Sequence, residues 1–410
     1  MPSTRRQFLA GALGSSALIS FSSIVPRFLL AASEQQATGA DSGDNVLVVV
    51  QLSGGNDGLN TVIPYADEEY RKNRFTLAID PGVIRKIDDA VGFHYSMEGF
   101  SKLLEDSRLA ILQGVGYPNP NRSHFESMDL WHTAHRKGAN RPVGWLGRYL
   151  DADRREGGDA PALHFGAEPQ PLALAAEKVQ TPSVVSLERF RLETNGRDAL
   201  RRTVEEVAAV RRAQSTSLLD FVNDNTRAAL ASSRRVEQAL GSYDTPIAYP
   251  GTGLSGKLKS VAQLIDAGLA TRIYYVTLDG FDNHSNQAQA HAGLLAELTG
   301  AVSAFLDDMA HHGHSERVLL MTFSEFGRRV KENASRGTDH GAAAPMFLAG
   351  GRVVPGVHGE HPSLTDLDDG DLKHHTDYRR VYATVLDNWL SYNSDTILGD
   401  HYDSLDVLKG

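Results

Sequence analysis

The hydrophobic and polar positions of this chain alternate between short apolar runs and longer amphipathic stretches. Residues 46–52, 272–278 and 318–323 are apolar runs, the pattern of central strands that are buried on both faces. Helical spacing of apolar residues over 287–311 separates the second run from the third. Strand–helix–strand order with a helix of this length predicts right-handed βαβ units, and therefore an α/β fold around a mostly parallel sheet.

Shorter patterns complete the predicted order of elements. They predict strands at 109–112, 163–165, 172–174 and 345–349, and helices at 100–105, 125–135, 258–267 and 378–390. Residues 197–240 are rich in Ala, Arg and Glu and contain neither glycine nor proline. That segment predicts one or two long surface helices, inserted into the sheet domain and packed on it.

The amino terminus has the pattern of an export signal. Arg5 and Arg6 precede a mildly apolar segment, residues 10–23, and Ala31 and Ala32 follow as small residues of a cleavage zone. We predict a twin-arginine signal peptide over residues 1–32, a polar linker over 33–44 and a single α/β domain over 45–410, with the helical insertion at about 196–245. The predicted location is the periplasm or another exported compartment, reached through the twin-arginine export machinery.

Net charge and composition exclude several classes of partner and of functional site. The formal net charge is −10, which argues against nucleic acid as a main partner. The chain contains no cysteine, so disulfides, thiolate metal sites and cysteine nucleophiles are excluded. No run after the signal is long and apolar enough to span a bilayer, so we expect no transmembrane span in the mature form.

Short polar clusters follow the predicted strands, and these clusters carry the candidate metal ligands. Because the carboxyl ends of parallel strands share one crevice, we expect the clusters to converge there. Oxygen and imidazole donors suit zinc, calcium, manganese or magnesium. The predicted ligands of a divalent metal are Asp57, Asp282, His284, Glu325 and His340.

Three further residues are candidate catalytic groups. Ser123 comes where the helix predicted at 125–135 begins, and it is either an ordinary helix cap or a nucleophile at a position that favours anions. Asn56 and Arg328 are predicted to steady the anionic part of a substrate, and Arg122 is a further candidate for that role. For both arginines the alternative is a solvated surface charge.

The order of these elements resembles the alkaline phosphatase, sulfatase and phosphoglycerate mutase superfamily. More closely, the chain resembles an uncharacterised bacterial family of unknown function, exported by twin-arginine signals and assigned to that superfamily. The segments that carry this resemblance are GGNDGLNTVIPY (54–65), NRSHFESMDLW (121–131), GFDNHSNQ (280–287), SEFGRRVKEN (324–333) and TDHGAAAP (338–345).

The resemblance implies an alkaline-phosphatase-like three-layer sandwich over residues 45–410 and an activity on phosphate or sulfate esters. It implies that Asp57, Asp282, His284 and His340 are metal ligands and that Ser123 is the nucleophile, with Thr61 as a weaker candidate. Where active phosphatases and sulfatases place Asp-His or Asp-Asn, this chain has Ser324-Glu325. That departure implies a one-metal site or none in place of a two-zinc site.

Three functions remain open at this point. The first is an exported, metal-dependent hydrolase that acts on a small phosphorylated or sulfated substrate. The second is a non-catalytic periplasmic binding or assembly protein that keeps the fold with a degenerate metal site. The third is a serine esterase, since Gly55-Asn56-Asp57 resembles the oxyanion-hole block of lipase-like hydrolases.

Overall fold

The structure is a computed structural model, and it describes residues 44–135, 143–153, 160–179, 181–185, 187, 241 and 243–409. The predicted signal peptide and nearly all of the linker lie outside the described residues. The predicted helical insertion lies almost entirely outside them as well.

A nine-stranded sheet forms the centre of the described part of the chain. Its strands are β1 Val46–Ser53, β5 Leu109–Gly116, β6 Ala162–Phe165, β7 Ser183–Val184, β8 Ile273–Asp279, β9 Val318–Phe323, β10 Ala344–Gly350, β11 Gly356–His358 and β14 Thr376–Asp377. They lie in the spatial order β11-β5-β10-β9-β1-β8-β6-β7, with β14 paired to β5. Two small sheets lie apart from it, one of β2 Val62–Ile63, β3 Arg85–Lys86 and β4 Gly92–Phe93, the other of β12 Leu367–Asp368 and β13 Asp371–Leu372.

Helices cover both faces of the central sheet. Those of the described residues are α1 Glu68–Asn73, α2 Glu98–Glu105, α3 His124–Thr133, α4 Trp145–Ala152, α5 Gly253–Asp266, α6 Gln287–His311, α7 Tyr378–Thr384 and α8 Ser394–Leu398. The alternation of β1 shows why both faces are covered. Val48 and Val50 contribute to one buried cluster, and Leu47 and Val49 to another on the opposite face. The predicted three-layer α/β class with a mostly parallel sheet is therefore confirmed.

The central strand pairs as its sequence predicts. β1 is parallel to β8 on one side and to β9 on the other, with Val49 opposite Tyr275 and Met321. The run predicted at 345–349 forms β10, but this strand is antiparallel to both β9 and β5. The described segment between β9 and β10 contains no crossover helix, and a parallel connection requires such a crossover, so the chain returns in the opposite direction.

Two local predictions differ from the structure. Leu172–Leu174 is a turn of 3₁₀ helix and not a strand. The helix predicted over 378–390 is α-helical only to Thr384 and continues as a π turn over Val385–Trp389. Among the described helices, none combines the length and the apolar character that crossing a bilayer requires.

Candidate metal centre

The carboxyl ends of three neighbouring strands place the predicted clusters at one edge of the sheet. In the parallel register, Ser53 at the end of β1 lies opposite Asp279 at the end of β8. Gln51, two residues before that end of β1, lies opposite Phe323 at the end of β9. The segments that follow β1, β8 and β9 therefore leave the sheet side by side.

A left-handed glycine allows two of these segments to touch. Gly54 has φ +116°, and a Cβ at this position would lie 2.4 Å from the backbone nitrogen of Asp282. Only glycine combines this backbone conformation with such a close approach. The turn after β1 therefore packs directly against the segment that carries Asp282.

His124, Asp282 and His340 form the centre of the site. One potential ligand atom of each residue lies within 4.8 Å of those of the other two. His340 Nε2 is 3.1 Å from Asp282 Oδ1, and His124 Nε2 is 3.5 Å from Asp282 Oδ2. His284 joins this centre from the side, with its Nε2 2.9 Å from both Asp282 Oδ1 and His340 Nε2.

Each of the three imidazoles has an acceptor opposite its other nitrogen. His340 Nδ1 lies 2.8 Å from the carbonyl oxygen of Arg122. His124 Nδ1 lies 2.8 Å from Glu325 Oε1, and His284 Nδ1 lies 3.5 Å from an oxygen of Asp339. An acceptor at this place draws the ring proton to Nδ1 and leaves the lone pair on Nε2. In His124 the Nε2 lone pair is therefore directed towards Asp282, whereas His340 Nε2 lies within hydrogen-bond distance of both Asp282 Oδ1 and His284 Nε2 and donates to Asp282 when no cation is bound.

The electrostatics of the centre keep its carboxylate ionised. Burial alone would raise the pKa of Asp282, but hydrogen bonds from Arg328 and His340 outweigh it and lower that pKa to about 2. The hydrogen bond to Glu325 raises the pKa of His124, and burial opposes this shift only in part.

Asp57, predicted as a ligand, lies outside this centre. It is buried, and Arg74 donates to both of its carboxylate oxygens, at 2.5 and 2.9 Å. Gln287 donates a further hydrogen bond to the same carboxylate. Burial would raise the pKa of Asp57, but the Arg74 guanidinium lowers it to about 2. Its oxygens are thus already saturated by donors from inside the protein.

Glu325, also predicted as a ligand, lies beside the centre and contacts only one of its members. Its side chain is 1% exposed, and its carboxylate accepts hydrogen bonds from the backbone and from Ser324 in addition to His124. It faces the outer nitrogen of His124, not the space between the histidines and Asp282.

Arg328 has an environment different from the predicted anion site. Its side chain is 1% exposed, and it donates to one carboxylate oxygen of Asp282 at 2.8 Å. Its remaining hydrogen bonds go to backbone carbonyls, those of Gly54, Gly55, Phe281 and Thr338. The guanidinium therefore ties together the segments after β1 and β8 and orients Asp282, and it has little capacity left for a substrate.

Asn56 and Thr61 are buried beneath the centre. Asn56 is 1% exposed, and its amide oxygen is close to the Thr61 hydroxyl, at 3.1 Å, and to His291 Nε2, at 3.0 Å. Thr61 is fully buried and donates within this network. Neither side chain faces the open side of the site.

Ser123 lies at the edge of the centre. It precedes α3 with an extended backbone, and in the described structure its exposed side chain makes no capping hydrogen bond. Its two chain neighbours both contact the centre, Arg122 through the carbonyl that faces His340 and His124 through its ring. The Arg122 side chain itself pairs with Asp369 and Asp371.

Three residues of this region were not among the sequence predictions. His124 was passed over in favour of Ser123 beside it, although the Ser-His pair at a helix start was visible. Arg74 and Gln287 gave no signal, because an arginine in a charged segment and a glutamine at the start of a helix are both common on surfaces.

The donor set fits a divalent cation. Imidazole nitrogens and one carboxylate are the ligands of zinc, manganese and related ions. His124 Nε2 is buried, and no described residue forms a hydrogen bond with it. With the ring proton on Nδ1, this Nε2 is an acceptor that faces a carboxylate, an arrangement that is costly unless a cation or a second proton lies between the two.

Comparisons with known proteins give a family and a set of distant structural likenesses. The model of a family described as "Protein of unknown function (DUF1501)" matches residues 44–391. No match was found among curated proteins.

Three solved structures illustrate the structural likenesses. A PsFucS1 sulfatase from Pseudoalteromonas sp. is 12% identical, with 88% of this chain and 71% of that chain covered and a TM-score of 0.39. An alkaline phosphatase superfamily protein from Vibrio parahaemolyticus is 8% identical, with 82% of this chain and 71% of that chain covered and a TM-score of 0.37. The zinc complex of the C-terminal periplasmic domain of EcEptC from Escherichia coli is 11% identical, with 76% of this chain and 74% of that chain covered and a TM-score of 0.36. Likenesses of this size carry no inference about activity.

Proposed function

The chain belongs to the DUF1501 family of proteins of unknown function, and we propose that it is a metal-dependent hydrolase of phosphate or sulfate esters. The observation that supports this proposal is the convergence of imidazole Nε2 atoms on Asp282 with an acceptor fixed opposite each Nδ1. In this proposal His124, Asp282 and His340 hold one divalent cation, zinc, manganese, magnesium or calcium, and His284 stands beside it.

The proposed nucleophile is Ser123. A cation at the centre would polarise an oxygen of the ester and stabilise the charge that develops there. The exposed Ser123 hydroxyl lies at the amino-terminal end of α3, where the helix dipole favours an anionic group. Ser123 Oγ forms a bond to phosphorus or sulfur and loses its proton to solvent, and the bond to the alcohol breaks. The alcohol leaves with a proton, and water then hydrolyses the serine ester and restores the hydroxyl.

The proposal includes an exported protein and a small anionic substrate. The twin-arginine pattern of residues 1–32 supports export to the periplasm through the twin-arginine machinery. The site offers ligands for one cation, since Asp57 is saturated by Arg74 and Gln287. We therefore propose a one-metal site.

The same saturation favours a second candidate, a non-catalytic binding or assembly protein. Asp57 pairs with Arg74, and Arg328 is fully engaged with carbonyls and Asp282, as expected where a former catalytic crevice has become a rigid binding surface. In that case the open centre at Asp282 would bind a partner or a cation without turnover.

One set of measurements separates the two candidates. The purified, exported full chain is assayed on aryl phosphates and aryl sulfates with each of the four cations, together with elemental analysis of the protein as isolated. The hydrolase predicts turnover that Ser123→Ala abolishes while bound metal persists, since the Ser123 side chain is exposed and makes no capping bond. Bound metal without turnover favours the binding protein. A protein that shows no bound metal and no turnover refutes the hydrolase.

A further inference from the structure

The buried carboxylate of Glu325 faces His124 Nδ1 and not the space where a cation would bind, so its role differs from that of a metal ligand. We infer that Glu325 is a positioning residue, which holds His124 in the one tautomer and orientation that make its Nε2 a cation ligand. This inference rests on the proposed metal centre.

Glu325 is locked in place by donors on both of its oxygens. Oε1 accepts from the backbone nitrogen of Gly54 at 2.9 Å and lies 2.8 Å from His124 Nδ1, and Oε2 lies 3.1 Å from Ser324 Oγ, whose one proton is shared with the carbonyl of Leu52 at 2.7 Å. With a side chain 1% exposed, it has no freedom to turn towards the centre. A buried carboxylate that already accepts from Gly54 and faces His124 Nδ1 is a poor further ligand.

A second contact fixes the helix that carries His124. Ser127, one turn further along α3, donates through its hydroxyl to the backbone carbonyl of Glu325 at 2.5 Å. The Ser127 hydroxyl also lies 2.8 Å from the hydroxyl of Tyr117. Glu325 therefore contacts α3 through its side chain and through its backbone, which sets both the position of the helix and the rotation of the His124 ring.

The chemical consequence follows from the two nitrogens of imidazole. A carboxylate can only accept, so His124 carries a proton on Nδ1, and in the neutral ring the lone pair is then on Nε2. That Nε2 is the buried atom without a hydrogen-bond partner among the described residues, 3.5 Å from Asp282 Oδ2. Carboxylates behind metal-binding histidines act in this way, and their loss weakens metal binding about 10- to 100-fold.

The first test needs no variant. In the metal-free full chain labelled with ¹⁵N-histidine, the neutral His124 ring is expected to be protonated on Nδ1, as read from long-range ¹H–¹⁵N couplings, with the signal assigned by its loss in His124→Ala. A His124 ring protonated on Nε2 in this protein overturns the inference, whether or not the protein binds metal.

The second test removes the charge of Glu325 and keeps its size. Glu325→Gln is expected to show a mixture of His124 tautomers and a zinc affinity lower by about 10- to 100-fold, measured by competition with a chelator. Asp339→Asn is the matched control, because Asp339 faces His284 at the longer distance of 3.5 Å and its loss is expected to cost less. A folded Glu325→Gln protein with an unchanged tautomer and unchanged zinc affinity overturns the inference. If the wild-type protein bound none of zinc, manganese, magnesium and calcium, the proposed metal centre would be refuted, and the tautomer measurement would still decide the role of Glu325.

Discussion

Two aspartates follow neighbouring strands of the same sheet, and the structure uses them in opposite ways. Asp57 is 2% exposed and is held by Arg74, whereas Asp282 is 47% exposed and is surrounded by imidazoles. Both pKa values are lowered to about 2. The difference lies in the partners, since buried donors saturate the Asp57 carboxylate, whereas Asp282 accepts from Arg328 and imidazole rings lie around its exposed oxygens. A lowered pKa therefore does not distinguish a buried ion pair that stabilises the fold from a binding site. We call the Asp57–Arg74 pair the internal brace.

The largest effect is expected at the internal brace. Asp57→Asn leaves Arg74 buried without a counter-charge, which should lower the free energy of unfolding by about 3–5 kcal/mol. Urea denaturation measures this change. Asp279→Asn, at the exposed end of β8, is the control and should change stability by no more than about 0.5 kcal/mol. A small loss for Asp57→Asn would show that the ion pair does not brace the fold.

The open carboxylate should show the reverse pattern. Asp282→Asn is expected to lower the free energy of unfolding by less than Asp57→Asn does, because Asp282 is half exposed and the backbone carbonyls around Arg328 remain, although its pairing with that arginine is lost. Its metal affinity should fall by more than about 100-fold, beyond the loss seen when an outer contact is removed. Chelator competition measures that affinity. If folded Asp57→Asn lost metal to the same degree, Asp57 would be a ligand and the contrast between the two aspartates would fail.

The internal brace should also affect how the free energy of unfolding depends on pH in the acid range. The folded pKa of Asp57 is about 2, below the ordinary 3.8, so its contribution is complete above about pH 4 and is lost as the pH falls towards 2. That contribution is about 2 kcal/mol, by the conversion of 1.36 kcal/mol per pKa unit. The stability difference between wild type and Asp57→Asn should therefore shrink by about this amount between pH 5 and pH 2, measured by urea denaturation at each pH. A constant difference would contradict the assignment.

The smallest effect separates the histidines of the open site. His340 belongs to the group whose ligand atoms converge, and His284 stands beside it. His340→Ala should therefore weaken zinc binding about tenfold more than His284→Ala, as measured by titration calorimetry. Equal losses would show that both histidines are ligands, as the sequence predicted.

Local patterns predicted the parts of the fold that depend on local physics. β1 and β9 were visible as apolar runs, because a strand covered on both faces has few polar positions. The full extent of α6 was visible from its helical spacing. The direction of β10 was not visible, because an apolar run reads the same in parallel and antiparallel sheets.

The candidate site was predictable as a place and less so as a set of roles. Asp282 and His284 were predicted from their positions after a strand and His340 from the segment before the run at 345–349, and the structure brings them together. Whether they bind metal remains a prediction. His124 was missed, because a histidine at a helix start is ordinary until its neighbours are known.

The sequence by itself determined which residue types reach the carboxyl edge of the sheet, since the order of elements along the chain and the strand ends follow from hydrophobic pattern and glycine. Only the tertiary structure decided which of them are free to bind. Asp57 meets Arg74, and Glu325 meets Gly54, across sequence separations that no local pattern encodes. The charge and lone pairs of a side chain are local properties, but whether they are already satisfied depends on contacts that form only when the chain folds.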